Sequence, residues 1–233
     1  MEAQDILAIV SENDLEIEGR LVDASNATLL ASVSEGEDSL RVIYKPIAGE
    51  RPLWDFPDGN LASREVAAYR LSALSGMDVV PLTILRDGPF GPGAVQLWIE
   101  VDPEVDVIAA VQLGDERLRM MALFDAVVNN TDRKFGHILF MPTGEVFGCD
   151  HGVTFHEEDK LRTVLWNWAG DAFSESEFAI LRQIENQIVS WNLEELISFA
   201  ELEATKGRVR ELLLKGTFPV PNDNWPAVPW PPY

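Results

Sequence analysis

The chain has 233 residues, with 39 Asp and Glu against 18 Lys and Arg, and therefore a net charge of −21. This length allows one domain or a two-lobed unit with a substantial hydrophobic core. The acidic charge argues against nucleic acid or an anionic membrane as a partner, because both are bound through Lys and Arg.

Targeting and redox features predict a cytoplasmic protein. The N-terminus is acidic and lacks the basic region of a secretory signal peptide. The sequence contains no apolar run of about eighteen residues that would span a membrane. Its one cysteine, Cys149, excludes an internal disulfide and suits a reducing compartment.

The first part of the chain predicts an antiparallel sheet, because residues 15–21 alternate between apolar and polar residues and turns separate the strand candidates that follow. Five strands are expected, at residues 15–21, 28–33, 40–45, 79–85 and 94–100. The first three form a meander, and Lys45 ends the third strand.

The spacing of apolar residues predicts helices mainly in the second half of the chain. They are expected at residues 61–74, 115–128, 176–188, 193–203 and 206–215. Asn192 and Glu195 have the spacing of a capping box, and Gly216 suits a helix end. Residues 101–112 give no clear assignment.

Two segments rich in proline and aromatic residues are expected to be irregular. Residues 49–58 form either a lid that faces the substrate or a satellite hydrophobic cluster. The tail, residues 219–233, cannot be helical, since it contains many prolines. It either docks as an extended strap with its tryptophans buried or presents a polyproline ligand. Docking is favoured because exposed tryptophans would be a liability.

A predicted hairpin brings two carboxylates together. Asp132 precedes an apolar run at residues 138–140, and a second run at residues 146–147 returns towards Asp150. Phosphoryl transfer uses one carboxylate to orient the attacking hydroxyl and another to hold a metal on the nucleotide. The alternative is that both are solvated loop acids in an acidic chain.

These motifs resemble those of a known superfamily. Asn-Thr-Asp-Arg at residues 130–133, an apolar strand, and Asp-His-Gly at residues 150–152 resemble the catalytic and metal loops of the phosphatidylinositol 3-/4-kinase-like superfamily. That superfamily includes the HipA toxin kinases and the type II phosphatidylinositol 4-kinases. More narrowly, the chain is similar to small actinobacterial proteins described as phosphatidylinositol-kinase-like. The likeness runs from about residue 15 to residue 168.

The resemblance implies an α+β, bilobal, protein-kinase-like fold with a small antiparallel β lobe and a mostly helical large lobe. It places the small lobe at residues 1–100, the large lobe at residues 101–218 and a C-terminal strap at residues 219–233. All three parts would belong to one kinase-like domain.

The resemblance also implies roles for four residues. Lys45 would reach the α- and β-phosphates of ATP, and Glu65 on the first predicted helix would orient Lys45. Asp132 would orient the acceptor hydroxyl. Asp150 would bind the metal, Mg²⁺ or Mn²⁺.

The remaining nucleotide contacts are expected from two segments. The turn between the first two strands would cover the phosphates with residues Ser25, Asn26, Ala27 and Thr28. This turn lacks the glycines that let backbone amides approach closely, so an ordinary hairpin turn is the alternative. The interlobe hinge would read the adenine edge through the backbone of residues Trp98, Ile99 and Glu100. A core strand with Trp98 packed inside is compatible with this.

Further residues around Asp132 are candidates for supporting roles. Asp125 lies on the apolar stripe of its helix and would brace the catalytic loop. Arg133 or Lys134 would add positive charge in the transition state. His137 stands where related kinases have an Asn that binds a second metal. Imidazole suits Mn²⁺ better than Mg²⁺, and the alternative is a hydrogen-bonded histidine without metal.

Three functions follow from this sequence. The first is an ATP-dependent phosphotransferase that acts on a hydroxyl of an unidentified protein or metabolite. The second is a nucleotide-binding regulator with little catalysis, which the missing glycines and His137 favour. The third is nucleotidyl transfer on the same fold.

Overall fold

The structure, a computed structural model, describes residues 3–21, 26–36 and 38–233. It is an α+β fold in which a five-stranded sheet is followed by a mainly helical region. The strands of the sheet are β1 Glu16–Arg20, β2 Leu29–Glu35, β3 Asp38–Pro46, β4 Thr83–Gly88 and β5 Gly91–Leu97. A hairpin in the helical region consists of β6 Ile138–Phe140 and β7 Val146–Gly148. The helices are α1 Ala3–Glu12, α2 Leu61–Ser75, α3 Val107–Leu113, α4 Arg119–Val128, α5 Glu175–Gln187 and α6 Phe199–Lys215.

The sheet has the order β1-β2-β3-β5-β4, and every neighbouring pair is antiparallel. The strand predictions are confirmed in number, but the fourth strand begins at Thr83 rather than at residue 79. The backbone N–H groups of Val79 and Val80 donate to the Ser72 hydroxyl at 2.9 and 3.2 Å, and Pro81 has no N–H to donate. This segment therefore cannot join the sheet ladder until Thr83.

Helix α1 was not predicted from the sequence. It packs on one face of the sheet, where Ile9 and Val10 join the apolar cluster of Leu15, Val42 and Tyr44. Helix α3, in the segment without an assignment, begins at a capping Asp106 and ends at a left-handed glycine. Both helices are short, so apolar periodicity gives little signal for them.

The last predicted pair of helices is a single helix, α6. Ser198 and Glu201 form the capping box, whereas Asn192 has a φ of 51° and makes no side-chain cap. The prediction of a cap at Asn192 was therefore wrong. The helix continues through the predicted gap because Thr205 is buried and its hydroxyl donates to the Glu201 carbonyl at 2.8 Å. Gly216 ends it in the left-handed conformation, as predicted.

Two apolar clusters form most of the interior. One joins the sheet to α1. The larger one fills the helical region, and it also includes Ala67, Ala68 and Leu71 from α2. Helix α2 also packs against the sheet, where Ala62 and Val66 contact Ala94 of β5 and where the helix lies beside β4. Helix α2 therefore packs between the sheet and the helical region, and the lobe limits at residues 100 and 218 stay predictions.

The C-terminal tail docks on the helical region, as the strap prediction expected. The Ala227 carbonyl accepts hydrogen bonds from the Thr163 N–H at 3.0 Å and from the Trp166 indole at 2.8 Å. The Pro232 carbonyl accepts from the Phe135 N–H at 2.8 Å. The expectation that the tail tryptophans are buried is wrong for Trp230, which is 87% exposed. Within the described ranges, no helix combines the length and apolar character needed to cross a bilayer.

Candidate active site

Lys45 lies between two carboxylates that come from distant parts of the chain. Its ammonium donates to Glu65 Oε1 on α2 and, at 2.9 Å, to Asp150 Oδ1. The Lys45 side chain is 19% exposed and the Glu65 side chain 3%, whereas half of the Asp150 side chain reaches solvent. The structure thus brings these three predicted site residues together, with Asp150 on the solvent side.

The electrostatics keep the Lys45–Asp150 pair charged at neutral pH. Burial lowers the pKa of the Lys45 ammonium, but the nearby Asp150 and Glu65 carboxylates outweigh burial, so the pKa lies above its usual value. The positive charge of Lys45 holds the pKa of Asp150 well below its usual range. Burial raises the pKa of Glu65, and Lys45 opposes this effect.

Helix α2 is fixed at its N-terminus by side chains that cap it. Asn60 Oδ1 accepts from the Ser63 N–H at 2.7 Å. The Glu50 carboxylate accepts from the N–H groups of Leu61 and Ala62, both at 2.8 Å. These acceptors satisfy donors that a helix start leaves free. They hold the turn of α2 that presents Glu65.

A buried ion pair fastens the same turn to α6. Arg64 Nε and Nη2 donate to Glu201 Oε1 at 2.8 and 2.6 Å, and both side chains are almost completely buried. Arg64 also donates to the Asp58 and Asn60 carbonyls. Because Arg64 directly precedes Glu65, this pair fixes the position of the carboxylate that meets Lys45. Sequence reasoning missed this pair, although Ser198 and Glu201 have capping-box spacing.

Replacing Glu201 with glutamine is expected to lower the free energy of unfolding by about 1–3 kcal/mol, because Arg64 stays buried with only a neutral acceptor. Urea denaturation followed by circular dichroism measures this change. The control is Glu195→Gln. Glu195 pairs with Arg70, which lies on α2 as Arg64 does, but the Glu195 side chain is largely exposed. We expect it to stay within about 0.5 kcal/mol of the wild type. Equal losses in the two variants would contradict the assigned role of the buried pair.

Asp132 is more exposed to solvent than the other residues of its motif. Asn129, Asn130, Thr131 and Arg133 are at most 2% exposed, whereas 29% of the Asp132 side chain is exposed. The Asp132 N–H donates to Asn130 Oδ1 at 3.0 Å, and its carboxylate lies 3.2 Å from the Lys134 ammonium. Asp132 is therefore the carboxylate of the motif that a substrate can reach.

Asp125 braces this loop, as expected. Its carboxylate accepts from Arg133 Nη2 at 2.9 Å, from Asn130 Nδ2 at 3.0 Å and from the Thr163 hydroxyl at 3.1 Å. Arg133 is completely buried in these contacts. The suggestion that Arg133 stabilises charge in the transition state is therefore wrong, and Lys134 is the remaining candidate.

The Asp150-His151-Gly152 loop is held against α2. The His151 N–H donates to Glu65 Oε2 at 2.9 Å, and Asp150 has a φ of 61°, in the left-handed region that Asp tolerates. A Cβ on Gly152 would lie 3.0 Å from the Leu61 Cβ, which explains the glycine. Burial raises the pKa of the adjacent Cys149 thiol to about 12, so this thiol is protonated at neutral pH.

His137 lies beside Asp150, with Nε2 3.4 Å from Asp150 Oδ2. Its Nδ1 accepts from the Lys134 N–H at 3.5 Å, so Nε2 carries the proton and faces the carboxylate. Burial lowers the pKa of the imidazole, which is consistent with this neutral form. As arranged, His137 orients Asp150, and its role as a metal ligand stays a prediction.

The turn that was predicted to cover the phosphates packs, at Asn26 and Ala27, against the segment that follows Lys45. Asn26 Oδ1 accepts from the Arg51 N–H at 2.9 Å, and the Ala27 N–H donates to the Gly49 carbonyl at 3.2 Å. A Cβ on Gly49 would lie 2.4 Å from the Ala27 Cβ, so the close approach requires glycine there. Ser25 lies outside the described residues. The phosphate role of residues 25–28, including the buried Thr28, stays a prediction.

The predicted hinge residues follow the end of β5. The Trp98 N–H donates to the Arg41 carbonyl at 3.0 Å, so this N–H is not free to bind a base. For Ile99 and Glu100, no backbone hydrogen bond is found in the described part of the chain. These two residues remain the candidates for contacts to adenine.

Residues 49–58 bridge the two regions rather than forming a separate cluster. Asp55 is ion-paired with Lys160, and the Phe56 ring packs edge-on against His156 with centroids 5.1 Å apart. Trp54 is 85% exposed. The segment therefore contacts the loop that follows Asp150, and its role as a lid stays a prediction.

Sequence comparison decides the family. No family model matches the chain. The protein Rv2133c of Mycobacterium tuberculosis is 40% identical to it over an alignment of 264 residues, which takes in 97% of this chain and 95% of that protein. The chain belongs to the Rv2133c family. This agrees with the resemblance to actinobacterial proteins seen in the sequence.

Two solved structures resemble this member of the Rv2133c family. A Golgi casein kinase matches with a TM-score of 0.58 and 10% identity, covering 91% of this chain and 75% of that chain. The Helicobacter pylori proinflammatory kinase CtkA matches with a TM-score of 0.51 and 12% identity, covering 86% and 92%. At such identities the likeness concerns the fold alone. It confirms the predicted α+β kinase-like fold.

Proposed function

We propose that the protein is an ATP-dependent phosphotransferase that acts with a divalent metal on a hydroxyl of a protein or small molecule. The observation that carries this proposal is the Lys45 ammonium bonded to both Glu65 and Asp150, which lie 20 and 105 residues away in the sequence. A lysine held between a helix carboxylate and a metal-loop carboxylate is the arrangement of a kinase competent for catalysis.

In the proposed reaction, the acceptor oxygen attacks the γ-phosphorus of ATP. The bond between this phosphorus and the β–γ bridging oxygen breaks, and ADP leaves. Asp132 orients the hydroxyl and accepts its proton, while Lys45 holds the α- and β-phosphates. Lys134, 3.2 Å from Asp132, adds positive charge next to the transferred phosphoryl group.

A metal fits this site only together with the nucleotide. In the part of the chain that the structure describes, no group of three or more His, Cys, Asp or Glu side chains could hold an ion. Mg²⁺ is commonly bound by one or two carboxylates plus substrate phosphates, and the half-exposed Asp150 can supply one carboxylate. When bound, the metal neutralises phosphate charge. His137 can orient Asp150 or, with its proton on Nδ1, bind Mn²⁺ directly.

We further infer that the Rv2133c family belongs to the phosphatidylinositol 3-/4-kinase-like superfamily, near the HipA kinases. The motifs at residues 130–133 and 150–152 support this assignment. The net charge of −21 argues against action on an anionic membrane. The acceptor that we propose is therefore not a membrane phosphoinositide, and the proposed location is cytoplasmic.

Labelled ATP tests the reaction. We expect the wild type with Mg²⁺ or Mn²⁺ to release ADP and to transfer label from the γ- but not the α-position. Replacing Asp132 with asparagine should lower turnover by about 100- to 10,000-fold while nucleotide binding persists. Transfer of α-label would instead indicate nucleotidyl transfer. Metal-dependent ATP binding without turnover, unchanged in the variant, would indicate a regulator.

A further inference from the structure

Arg162 is fixed beside the proposed catalytic residue Asp132. Its segment runs alongside the catalytic loop, with the Arg162 N–H donating to the Asn130 carbonyl at 2.9 Å and the Arg133 N–H donating to the Arg162 carbonyl at 3.1 Å. The side chain is fixed too, since Arg162 Nε donates to the Thr131 carbonyl at 2.7 Å. The Arg162 guanidinium is therefore anchored to the residue that directly precedes Asp132.

The C-terminal strap holds one face of this guanidinium. The Arg162 Cζ atom lies 5.3 Å from the centroid of the Trp225 ring, within the range of a cation–π contact. The strap is anchored just beyond this ring, where the Ala227 carbonyl accepts from Thr163 and Trp166. With Nε bonded and one face packed, the two terminal nitrogens of Arg162 form a fork of fixed orientation.

This fork has no anionic partner within residues 3–21, 26–36 and 38–233. Among the described residues, Arg162 Nη1 and Nη2 make no hydrogen bond and no ion pair. The chain carries 39 acidic residues against 18 basic ones, so a carboxylate partner would be easy to supply. The neighbouring cation Lys160, by contrast, is ion-paired with Asp55. Arg162 is thus kept free next to the proposed site of transfer.

A second donor near Arg162 also lacks an acceptor. The indole Nε1–H of Trp225 is buried and has no hydrogen-bond partner in the ranges that the structure covers. Buried donors without partners are uncommon, because desolvating them costs free energy. Because the indole nitrogen is shielded from solvent, a ligand would meet the half-buried Arg162 guanidinium rather than this N–H.

We propose that Arg162, held in place by the Trp225 ring, binds an oxyanion, a phosphate or a carboxylate group, on the acceptor whose hydroxyl Asp132 orients. A guanidinium presents parallel N–H groups that match the two oxygens of such an anion. This proposal rests on the proposed phosphotransferase function, because the acceptor is the molecule whose hydroxyl takes the phosphoryl group in that reaction. It adds the substrate class, which is an anionic hydroxyl compound or an acidic peptide segment.

The test is a titration of ¹⁵N-labelled protein with inorganic phosphate and, separately, with acetate, observed at the arginine Nε–H resonances. We expect the Arg162 resonance to shift and saturate at millimolar concentrations of at least one of the two anions. Saturation by phosphate alone indicates a phosphorylated acceptor, and saturation by acetate alone indicates a carboxylate. If neither anion saturates the Arg162 resonance, the proposal is wrong.

Substitutions test whether the anion binds at Arg162. Isothermal titration with the anion that binds should show binding lost in Arg162→Gln and weakened at least about threefold in Arg162→Lys, which lacks the fork. The control Arg182→Gln should leave it unchanged, because Arg182 lies on α5 against Phe178. Lys45→Met should also retain it, which separates this site from the nucleotide site. If Arg162→Gln still binds the anion, the anion-site proposal is wrong, even if the wild type transfers phosphate. If the wild type binds the anion but transfers no phosphate, only the proposed phosphotransferase function is wrong.

Discussion

Replacing Lys45 with methionine is expected to lower the rate of phosphate transfer by about 100- to 1,000-fold, as for the loss of one preorganised charge in an active site. Methionine keeps a similar length and apolar stem but removes the ammonium. Glu65 and Asp150, which both bind this ammonium, would then face the phosphates without a neutralising charge. In a chain with net charge −21, no favourable overall field replaces it.

Two measurements check this expectation. Steady-state release of ADP gives the rate, and titration with a fluorescent ATP analogue gives the affinity, which should also fall. The control is Lys206→Met, because Lys206 is paired with Glu203, a neighbour on α6, and lies outside the proposed site. A Lys45→Met variant that keeps turnover within about threefold of the wild type would exclude the kinase-like role of Lys45.

The position of Lys45 gives it a structural role in addition to its proposed role in phosphate transfer. It lies on β3 in the sheet, whereas Glu65 belongs to α2, whose Ala67, Ala68 and Leu71 pack in the core of the helical region. The ion pair therefore adds a charged contact between β3 and a helix that packs on both the sheet and the helical region. Because Arg64 and Glu201 hold α2 in place, rotating α2 away from Lys45 would expose part of the larger core.

The sequence predicts the parts of the fold that are set locally. Strand β2 alternates between buried and less buried residues, β3 and β5 contain short apolar runs, and the hairpin of β6 and β7 has a turn sequence. Their approximate positions therefore follow from apolar patterning and turn chemistry. The proximity of Lys45 to Glu65 and Asp150 followed from the order of motifs in the resembling superfamily. Their chemical roles are still predictions.

Other features depend on contacts that no local pattern reveals. The start of β4 is delayed by hydrogen bonds to Ser72, and the continuity of α6 depends on a buried Thr205. Arg133 reads as a surface charge in the sequence, yet it is buried because Asp125 lies opposite it on α4. Arg162 gave no signal, since its importance comes from the strap that folds back over it.

Replacing Asp125 with alanine is expected to lower the free energy of unfolding by about 3–5 kcal/mol, the range for breaking a buried ion pair from one side. The Asp125 and Arg133 side chains are both 0% exposed, so the remaining guanidinium would stay buried without a counter-charge. Arg133 also donates to the carbonyls of His137 and Cys149 and lies 2.7 Å from His151 Nε2. Its displacement would disturb both the loop that carries Asp132 and the loop that carries Asp150.

Denaturation in guanidinium chloride measures the loss, and two matched variants separate its causes. Asp125→Asn keeps one of the two oxygens that accept from Asn130 and Thr163 but replaces the other with an amide donor and removes the charge, so its loss should lie between those of the wild type and the alanine variant. Asp115→Ala breaks the more exposed pair with Arg117 and should cost less than about 1 kcal/mol. If Asp125→Ala lowers the free energy of unfolding by less than about 1 kcal/mol, the limit given for the exposed pair, Arg133 has found another partner or has left the interior.

The close contact at Gly148, where a Cβ would lie 2.8 Å from Arg133 Nη1, argues that the guanidinium has little room to move. The two loops therefore depend on Asp125 for their position.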